Sequence, residues 1–212
     1  MEYLDMETWN RKDQFSLFNK MDYPHFNVCA NLDITVFYAY LKKNKLPFLV
    51  SMVYLVSRVA NEIEPFRYRI RDGKVLVHEQ VHPAFTIMNE EEVFGFCPTD
   101  YMENFQAFKM KALEEIEKSR LNISVSDEPG RDDMLFLTSL PWVSFTSVTH
   151  PIHMSPTDSI PRIGWGKYFQ ENEKLKMPIS VQVHHALMDG LHVGKYYMRI
   201  QELLDQPEKC FL

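Results

Sequence analysis

The chain has 212 residues, of which 45% are hydrophobic, and carries a formal net charge of −6 at pH 7. This length and composition predict a single domain over residues 1–212 with a substantial buried core. The acidic balance gives no chain-wide basis for binding nucleic acid or an anionic membrane surface, and no apolar run is long enough to span a bilayer.

The cysteines and the N-terminal segment both favour the cytoplasm. Cys29, Cys97 and Cys210 are odd in number, far apart and without metal-type spacing, so we expect free thiols in a reducing compartment. The chain begins MEYLDMETWNRK, an acidic stretch without the basic and apolar regions of a signal peptide. We therefore expect a cytoplasmic protein.

Apolar residues at helical spacing predict a series of helices. One is a short helix within residues 5–20 that begins after Asp5 or Thr8. Others cover residues 47–63, 104–121 and 191–204, and a further one begins after a cap at Asp33 or Thr35 and ends near Asn44. The helix over 47–63 is apolar around most of its circumference, so we expect it to be the central buried helix.

Alternating apolar and polar residues predict strands between these helices. They cover residues 26–32, 84–88 and 93–97, a β-prone stretch over 134–148 broken at Pro141, and hairpins over 66–77 and 167–183. Asp72 and Gly73 form a strong turn signal for the first hairpin. The proline-rich stretch 149–162 is predicted to be irregular, and the polar stretch 124–133 an exposed loop. Intermixed strands and helices with hairpins predict an α/β domain with a mixed, largely antiparallel sheet.

Residues 178–194, PISVQVHHALMDGLHVG, hold the strongest chemical signal in the chain. The alternation over 179–184 predicts a strand that ends at His184 and His185. Side chains alternate across a strand, so the two imidazoles cannot enter one cleft together, and we expect one of them to be buried. Asp189 then caps the next helix.

Several interpretations of this pair compete. For an arbitrary His pair, one packed and one exposed imidazole is the commonest outcome. A metal site of His185, Asp189 and His192 is chemically possible, but the spacing matches no metal signature and no further Cys, Glu or His supports it. A Ser-His-Asp nucleophile is disfavoured because the chain has no G-x-S-x-G elbow. A general base acting on an acceptor hydroxyl suits an imidazole.

A resemblance favours the general base. HHALMDG resembles the His-His-x-x-x-Asp-Gly signature shared by chloramphenicol acetyltransferases and the catalytic cores of dihydrolipoyl acyltransferases. Further segments resemble chloramphenicol acetyltransferases in their usual order: WNR at 9–11, LDIT at 32–35, PWVSFTS at 141–147, GKY at 166–168 and GLHVG at 190–194. The resemblance covers nearly the whole chain. A dihydrolipoyl acyltransferase core is the weaker match, because no lipoyl domain or linker precedes the chain.

The resemblance implies a mechanism and a fold. His185 would be the base in a direct transfer of acetyl from acetyl-CoA, without an acyl-enzyme and without a metal. The hydroxyl of Ser147 would stabilise the oxyanion, and Asp189 would pair with Arg11 to hold the His185 loop. The implied fold is a two-layer α/β sandwich that assembles as a homotrimer, with the active site at each subunit interface.

Candidate binding residues follow from side-chain chemistry for the acceptor and from the resemblance for CoA. Phe18, Phe26 and Phe94 are candidate aromatic walls for the acceptor, and Lys167 and Tyr168 match positions near the path of CoA. The match weakens at three positions. The family has apolar residues or cysteine where this chain has Asp22 and Pro24, and a threonine that binds the transition state through water where this chain has Gly164.

The predicted function is therefore transfer of acetyl from acetyl-CoA to a hydroxyl of chloramphenicol. Two alternatives stay open. One is the same chemistry on another small hydroxyl or amine compound, which the departures at Asp22, Pro24 and Gly164 favour. The other is a non-catalytic trimer that binds a hydrophobic small molecule.

Overall fold

A computed structural model describes residues 1–125 and 130–211. The helices are α1 (Lys12–Phe18), α2 (Thr35–Asn44), α3 (Phe48–Glu62), α4 (Phe105–Leu121), α5 (Gly190–Asp205) and α6 (Glu208–Phe211). The strands are β1 (Glu2–Tyr3), β2 (His25–Asp33), β3 (Tyr68–Arg71), β4 (Lys74–Val77), β5 (His82–Met88), β6 (Phe94–Pro98), β7 (Met134–Leu140), β8 (Arg162–Gly166), β9 (Phe169–Glu171) and β10 (Lys174–His184). Residues 126–129 of the predicted polar loop lie outside the described residues.

The main sheet has seven strands in the order β2-β10-β8-β7-β5-β6, with β9 paired to β10. Strand β7 runs parallel to both of its neighbours, β8 and β5. The remaining pairs are antiparallel. The predicted mixed, largely antiparallel sheet is confirmed.

Helices cover one face of the main sheet and form the second layer. Alternate residues of β10, Ile179, Val181 and Val183, are fully buried on this face and share one apolar core with α2, α3, α4 and α5. Helix α3 lies at the centre of that core, as its nearly continuous apolar surface predicts. The opposite face of the sheet carries the intervening residues, which on β10 are Ser180, Gln182 and His184.

A second, three-stranded sheet of β1, β4 and β3 supports the N-terminal helix. The predicted hairpin turns at Asp72 and Gly73, which both adopt left-handed backbone conformations (φ 49° and 72°). Side chains of this sheet, including Tyr68 and Val75, share a small apolar cluster with Phe15 of α1 and with Leu187. The cluster therefore fixes α1 against the loop that follows His185.

The structure corrects several predicted elements. Helix α1 begins at Lys12, later than the predicted start after Asp5 or Thr8, and the chain before it forms a tight turn in which Asp5 accepts the N–H of Glu7 at 3.0 Å. The β-prone stretch after Pro141 is not a strand, since β7 ends at Leu140 and proline has no N–H to continue the ladder. Strand β8 was not predicted, because its two glycines and the preceding prolines hide the alternation.

Candidate active site

The catalytic candidate His185 lies at a strand-to-helix turn. Strand β10 pairs with β2 as far as His184 and His25, and the His185 N–H then donates to the Pro24 carbonyl at 2.7 Å. The chain turns through residues 186–188 and enters α5, where Asp189 accepts the Leu191 N–H at 3.0 Å. His192 completes the cap by accepting the Asp189 N–H at 3.1 Å. Position 192 therefore stabilises the helix start.

The two adjacent histidines point to different environments, as strand alternation predicts. His184 is 1% exposed and lies on the sheet face opposite the helices. Its Nδ1 accepts the Ala186 N–H at 3.2 Å, which stabilises the turn. His185 is half-buried. The geometry therefore leaves His185 as the imidazole that a substrate can reach.

Two aromatic rings hold the His185 imidazole. Phe18 of α1 stacks on it with a centroid distance of 3.8 Å and an interplanar angle of 5°. Phe26 of β2 contacts it at 4.6 Å with a tilt of 45°. Within the described residues, the buried Nδ1 of His185 has no hydrogen-bond partner. Its ring orientation therefore depends on aromatic packing.

An ion pair fixes the loop beneath His185. Arg11 Nη1 lies 2.5 Å from Asp189 Oδ2, and the Arg11 side chain is 12% exposed. Nη2 of Arg11 also donates to the His185 carbonyl at 3.5 Å. Burial raises the pKa of Asp189, but the hydrogen bond from Arg11 and the nearby positive charges outweigh it and lower the pKa overall. Asp189 is therefore ionised near neutral pH and anchors α1 to the His185 loop.

A buried histidine pair lies behind this loop. The rings of His25 and His184 meet edge to face at 5.0 Å. Burial lowers the pKa of His25 to about 4, helped by the nearby charge of Arg162 and opposed by Asp158. Burial also lowers the pKa of His184 to about 4, helped by His25. Both imidazoles are therefore neutral at pH 7.

This pair predicts an acid-sensitive fold. The unfolded chain protonates both imidazoles near their ordinary pKa of 6.5, whereas the folded chain resists protonation down to about pH 4. The free energy of unfolding should therefore fall as pH decreases from about 6.5 to 4, because the unfolded state binds more protons there. Urea unfolding across this range measures the slope.

Two variants test whether His25 and His184 cause the fall in the free energy of unfolding at acidic pH. His25→Phe should flatten it, and His153→Asn, at an exposed position, should leave it unchanged. An unaltered slope in His25→Phe would show that the acid sensitivity originates elsewhere.

A cavity of about 730 Å³ lies on the face of the main sheet that the helices leave uncovered. Phe94, one of the residues predicted to contact the acceptor substrate, lines it together with side chains from β5, β7 and β8. His185, Phe18 and Phe26 do not line it. A single copy of the chain therefore holds the candidate base His185 and the cavity as separate features.

The remaining predicted residues lie on exposed segments. Ser147 is exposed, and no hydrogen bond in the described parts of the chain joins it to His185. Its neighbour Val148 accepts from Asn27 Nδ2 at 3.0 Å, which ties this segment to β2 next to Phe26. Lys167 is exposed, and the Tyr168 hydroxyl lies 3.1 Å from that of Tyr38.

The three positions at which the chain departs from the family pattern differ in their burial. Asp22 is exposed, whereas Pro24 is buried and contributes only its carbonyl to the site. Gly164 is buried in β8, on the cavity face of the sheet.

Sequence reasoning missed most of the cavity. Phe96, Phe136, His150 and Arg162 line it, yet none was singled out. Phe96 could have been found, because it is two residues from Phe94 on a predicted strand and so shares its face. Phe136 and Arg162 depend on β7 and β8 lying side by side, and His150 depends on its hydrogen bonds to Gln182 of β10. Local patterns predict neither arrangement.

Neither a metal cluster nor a membrane helix is found in residues 1–125 and 130–211. No group of three or more His, Cys, Asp or Glu side chains there could hold a metal ion. No helix in the same ranges is long and apolar enough to cross a bilayer. Cys29, Cys97 and Cys210 are free thiols, as predicted.

Sequence comparisons identify relatives along nearly the whole chain. Residues 1–201 match the family model described as chloramphenicol acetyltransferase. A chloramphenicol acetyltransferase from Klebsiella sp. is 30% identical over 204 residues, which cover 96% of this chain and 93% of the relative. One from Clostridium perfringens is 31% identical over 208 residues, covering 97% and 95%.

Structure comparisons agree with the sequence matches. A solved chloramphenicol acetyltransferase superimposes with a TM-score of 0.86 at 26% identity, covering 96% of this chain and 99% of that chain. The Azotobacter vinelandii dihydrolipoamide acetyltransferase superimposes with a TM-score of 0.73 at 18% identity, covering 94% and 88%. The second likeness shows a shared fold alone.

Proposed function

The chain belongs to the chloramphenicol acetyltransferase family, and we propose that it transfers acetyl from acetyl-CoA to a hydroxyl of chloramphenicol, with His185 as general base. The observation that carries the assignment of the base is the fixed His185 imidazole, stacked on Phe18 above a loop that the Arg11–Asp189 pair anchors. Such fixed orientation is what general-base catalysis requires.

The reaction moves one proton from the acceptor hydroxyl to His185 and then from His185 to the CoA sulfur. His185 takes the proton of the acceptor hydroxyl as that oxygen attacks the thioester carbonyl carbon of acetyl-CoA. The new C–O bond forms, and the carbonyl oxygen takes up negative charge. When the tetrahedral centre collapses, the C–S bond breaks and His185 returns the proton to the CoA sulfur. The imidazole is again neutral, and no acyl-enzyme forms.

We assign the supporting roles from the resemblance. The Ser147 hydroxyl donates to the developing oxyanion, a role worth about 3 kcal/mol in comparable sites. Arg11 and Asp189 position the His185 loop. Phe18 and Phe26 orient the imidazole and border the acceptor, while Phe94 packs on the acceptor inside the cavity. Lys167 and Tyr168 border the path of CoA, and their exposure is compatible with contact to a large polar donor.

Charge removal at Asp189 should test the positioning role. Asp189→Asn keeps the size and a capping oxygen but leaves the nearly buried Arg11 guanidinium unpaired. We expect kcat to fall about 10²-fold, the cost of a displacement of about 1 Å at a catalytic group. Initial rates of CoA thiol release measure the change.

The matched control is Glu114→Gln, which breaks an exposed ion pair to Lys118 on α4 and should change neither rate nor stability. A wild-type kcat in Asp189→Asn would show that the Arg11–Asp189 pair does not position His185 for catalysis.

We further propose that residues 1–212 act as one cytoplasmic domain that assembles as a homotrimer, with the base of one copy facing the cavity of its neighbour. Two observations support this arrangement. The cavity of a single copy lacks His185. Large apolar side chains at the cavity mouth, Phe94 (49% exposed) and Trp142 (65%), are uncovered, as expected of a surface that a second copy buries.

Solution mass and subunit mixing test the trimer. Light scattering should give three times the 25.1 kDa of one chain. Co-expressing His185→Ala with Thr138→Trp, which blocks the cavity, should restore part of the activity that each variant lacks alone, because some interfaces then combine an intact base with an open cavity. A monomer, or mixtures without recovered activity, would contradict the shared site.

Identification of the product tests the proposed function. Mass spectrometry of a reaction with acetyl-CoA and chloramphenicol should find the acetyl ester of chloramphenicol. Unmodified chloramphenicol after long incubation would overturn the acceptor assignment. A screen of other hydroxyl and amine compounds would then separate an enzyme with a different acceptor from a protein that only binds.

A further inference from the structure

The cavity has two chemically different walls. The aromatic wall consists of Phe94, Phe96 and Phe136, whose ring centroids follow one another at 6.1 and 6.4 Å. Polar residues also line the cavity, and three of them, His150, Asp158 and Arg162, form what we call the polar wall; the others are Thr86, Arg120, Thr138, Ser139 and His153. A ligand that fills this cavity is therefore expected to combine an aromatic ring with a polar group.

The charged members of the polar wall are already paired with each other. The Arg162 guanidinium donates to the Asp158 carboxylate and to the Ile160 carbonyl, the latter at 3.0 Å. Asp158 also accepts the Ile160 N–H at 2.7 Å. The guanidinium lies 5.2 Å from the centroid of the Phe136 ring. Their charges cancel locally, which leaves His150 as the polar wall's neutral candidate for contact with a ligand.

His150 is rigidly held through its backbone. Its N–H donates to Gln182 Oε1 at 2.8 Å, and its carbonyl accepts from Gln182 Nε2 at 3.2 Å. Gln182 is buried in the middle of β10, the strand that leads to His185. The position of His150 is therefore fixed relative to the strand that carries the base.

The imidazole of His150 has unused hydrogen-bonding capacity. Its Nε2 is buried, and none of the described residues pairs with it; the same is true of Ser180 Oγ. Both atoms lie over Gly164, where an added Cβ would be 3.4 Å from Nε2 and 3.2 Å from Oγ. Glycine at 164 therefore allows the imidazole to lie against the sheet. Burial and the nearby Arg162 lower the pKa of His150, so the ring is neutral and can donate or accept.

We propose that His150 is a specificity-determining residue of the acceptor site: its imidazole hydrogen-bonds a polar group of the acceptor other than the reacting hydroxyl, while the aromatic wall packs on the acceptor's ring. The substrate class is an aromatic alcohol with a second hydrogen-bonding group, to which chloramphenicol belongs through its amide and secondary hydroxyl. This inference rests on the proposed function, because it assigns the cavity to the acceptor.

Equilibrium binding of chloramphenicol tests the role of His150 without requiring turnover. His150→Phe keeps a ring of similar size but removes the hydrogen bond, and calorimetry should give a Kd raised about tenfold. The KM for acetyl-CoA should stay unchanged. His150→Gln, which retains a hydrogen-bonding group, should lose less affinity and provides the test if the phenylalanine variant fails to fold. Glu114→Gln, on the exposed face of α4 away from the cavity, is the control.

The possible outcomes separate the two proposals. Wild-type affinity for chloramphenicol in both His150 variants would overturn the specificity role and leave the proposed function intact. A wild-type protein that neither binds nor acetylates chloramphenicol would overturn the proposed function, and the role of His150 with it. Affinity lost equally in His150→Phe and His150→Gln would also overturn a specific hydrogen bond.

Discussion

Replacing His185 by alanine is expected to reduce CoA thiol release to the uncatalysed background. The variant removes the only base that the mechanism uses, and a positioned general base contributes roughly 10²- to 10⁴-fold. The substitution also removes the ring between Phe18 and Phe26. Binding of acetyl-CoA should persist, because Lys167 and Tyr168, the residues proposed to border its path, are unchanged.

Two controls make the His185 result interpretable. Thermal unfolding of His185→Ala should stay close to that of the wild type, since a half-buried ring at the end of β10 contributes little to the core. Glu114→Gln, at an exposed position on α4, should retain full activity. A folded His185→Ala protein with wild-type turnover would eliminate His185 as the base.

Replacing Ser147 by alanine should lower kcat by about 10²- to 10³-fold, the effect of deleting one oxyanion donor. The KM values for acetyl-CoA and chloramphenicol should change little, because the hydrogen bond forms to charge that develops only in the transition state. Steady-state kinetics with each substrate varied in turn separate the two parameters.

Ser144→Ala is the matched control for Ser147. Both serines are exposed on the segment between β7 and β8, and only Ser147 is assigned to the oxyanion. Equal, small effects of the two substitutions would place the oxyanion donor elsewhere. A raised KM with unchanged kcat in Ser147→Ala would show that the hydroxyl binds ground-state substrate.

The turn that holds His185 could be predicted because the residue patterns that specify it are close together in the sequence. Alternation over β10, the cap at Asp189 and the helical spacing of α5 all occur within residues 178–204, so strand, turn and helix follow from the sequence. The same holds for the hairpin at Asp72 and Gly73, where the residue types suit left-handed backbone. The family resemblance adds the pairing of Arg11 with Asp189 across the chain.

The surroundings of His185 and the cavity could not be predicted in the same way. The stacking of Phe18 on His185 requires α1 to dock through a cluster shared with the three-stranded sheet. The cavity requires β7 to lie parallel between β5 and β8, an arrangement set by long-range packing. His150 belongs to a proline-rich stretch without periodicity, and only its bonds to Gln182 bring it to the sheet.

The most direct test of the central claim is CoA thiol release from acetyl-CoA by the purified wild-type protein, measured with and without chloramphenicol. Base-catalysed direct transfer predicts rapid release only when chloramphenicol is present, with one thiol for each acetyl ester formed. Release at the same rate without chloramphenicol, or no release above background in its presence, would contradict acetyl transfer to chloramphenicol by this site.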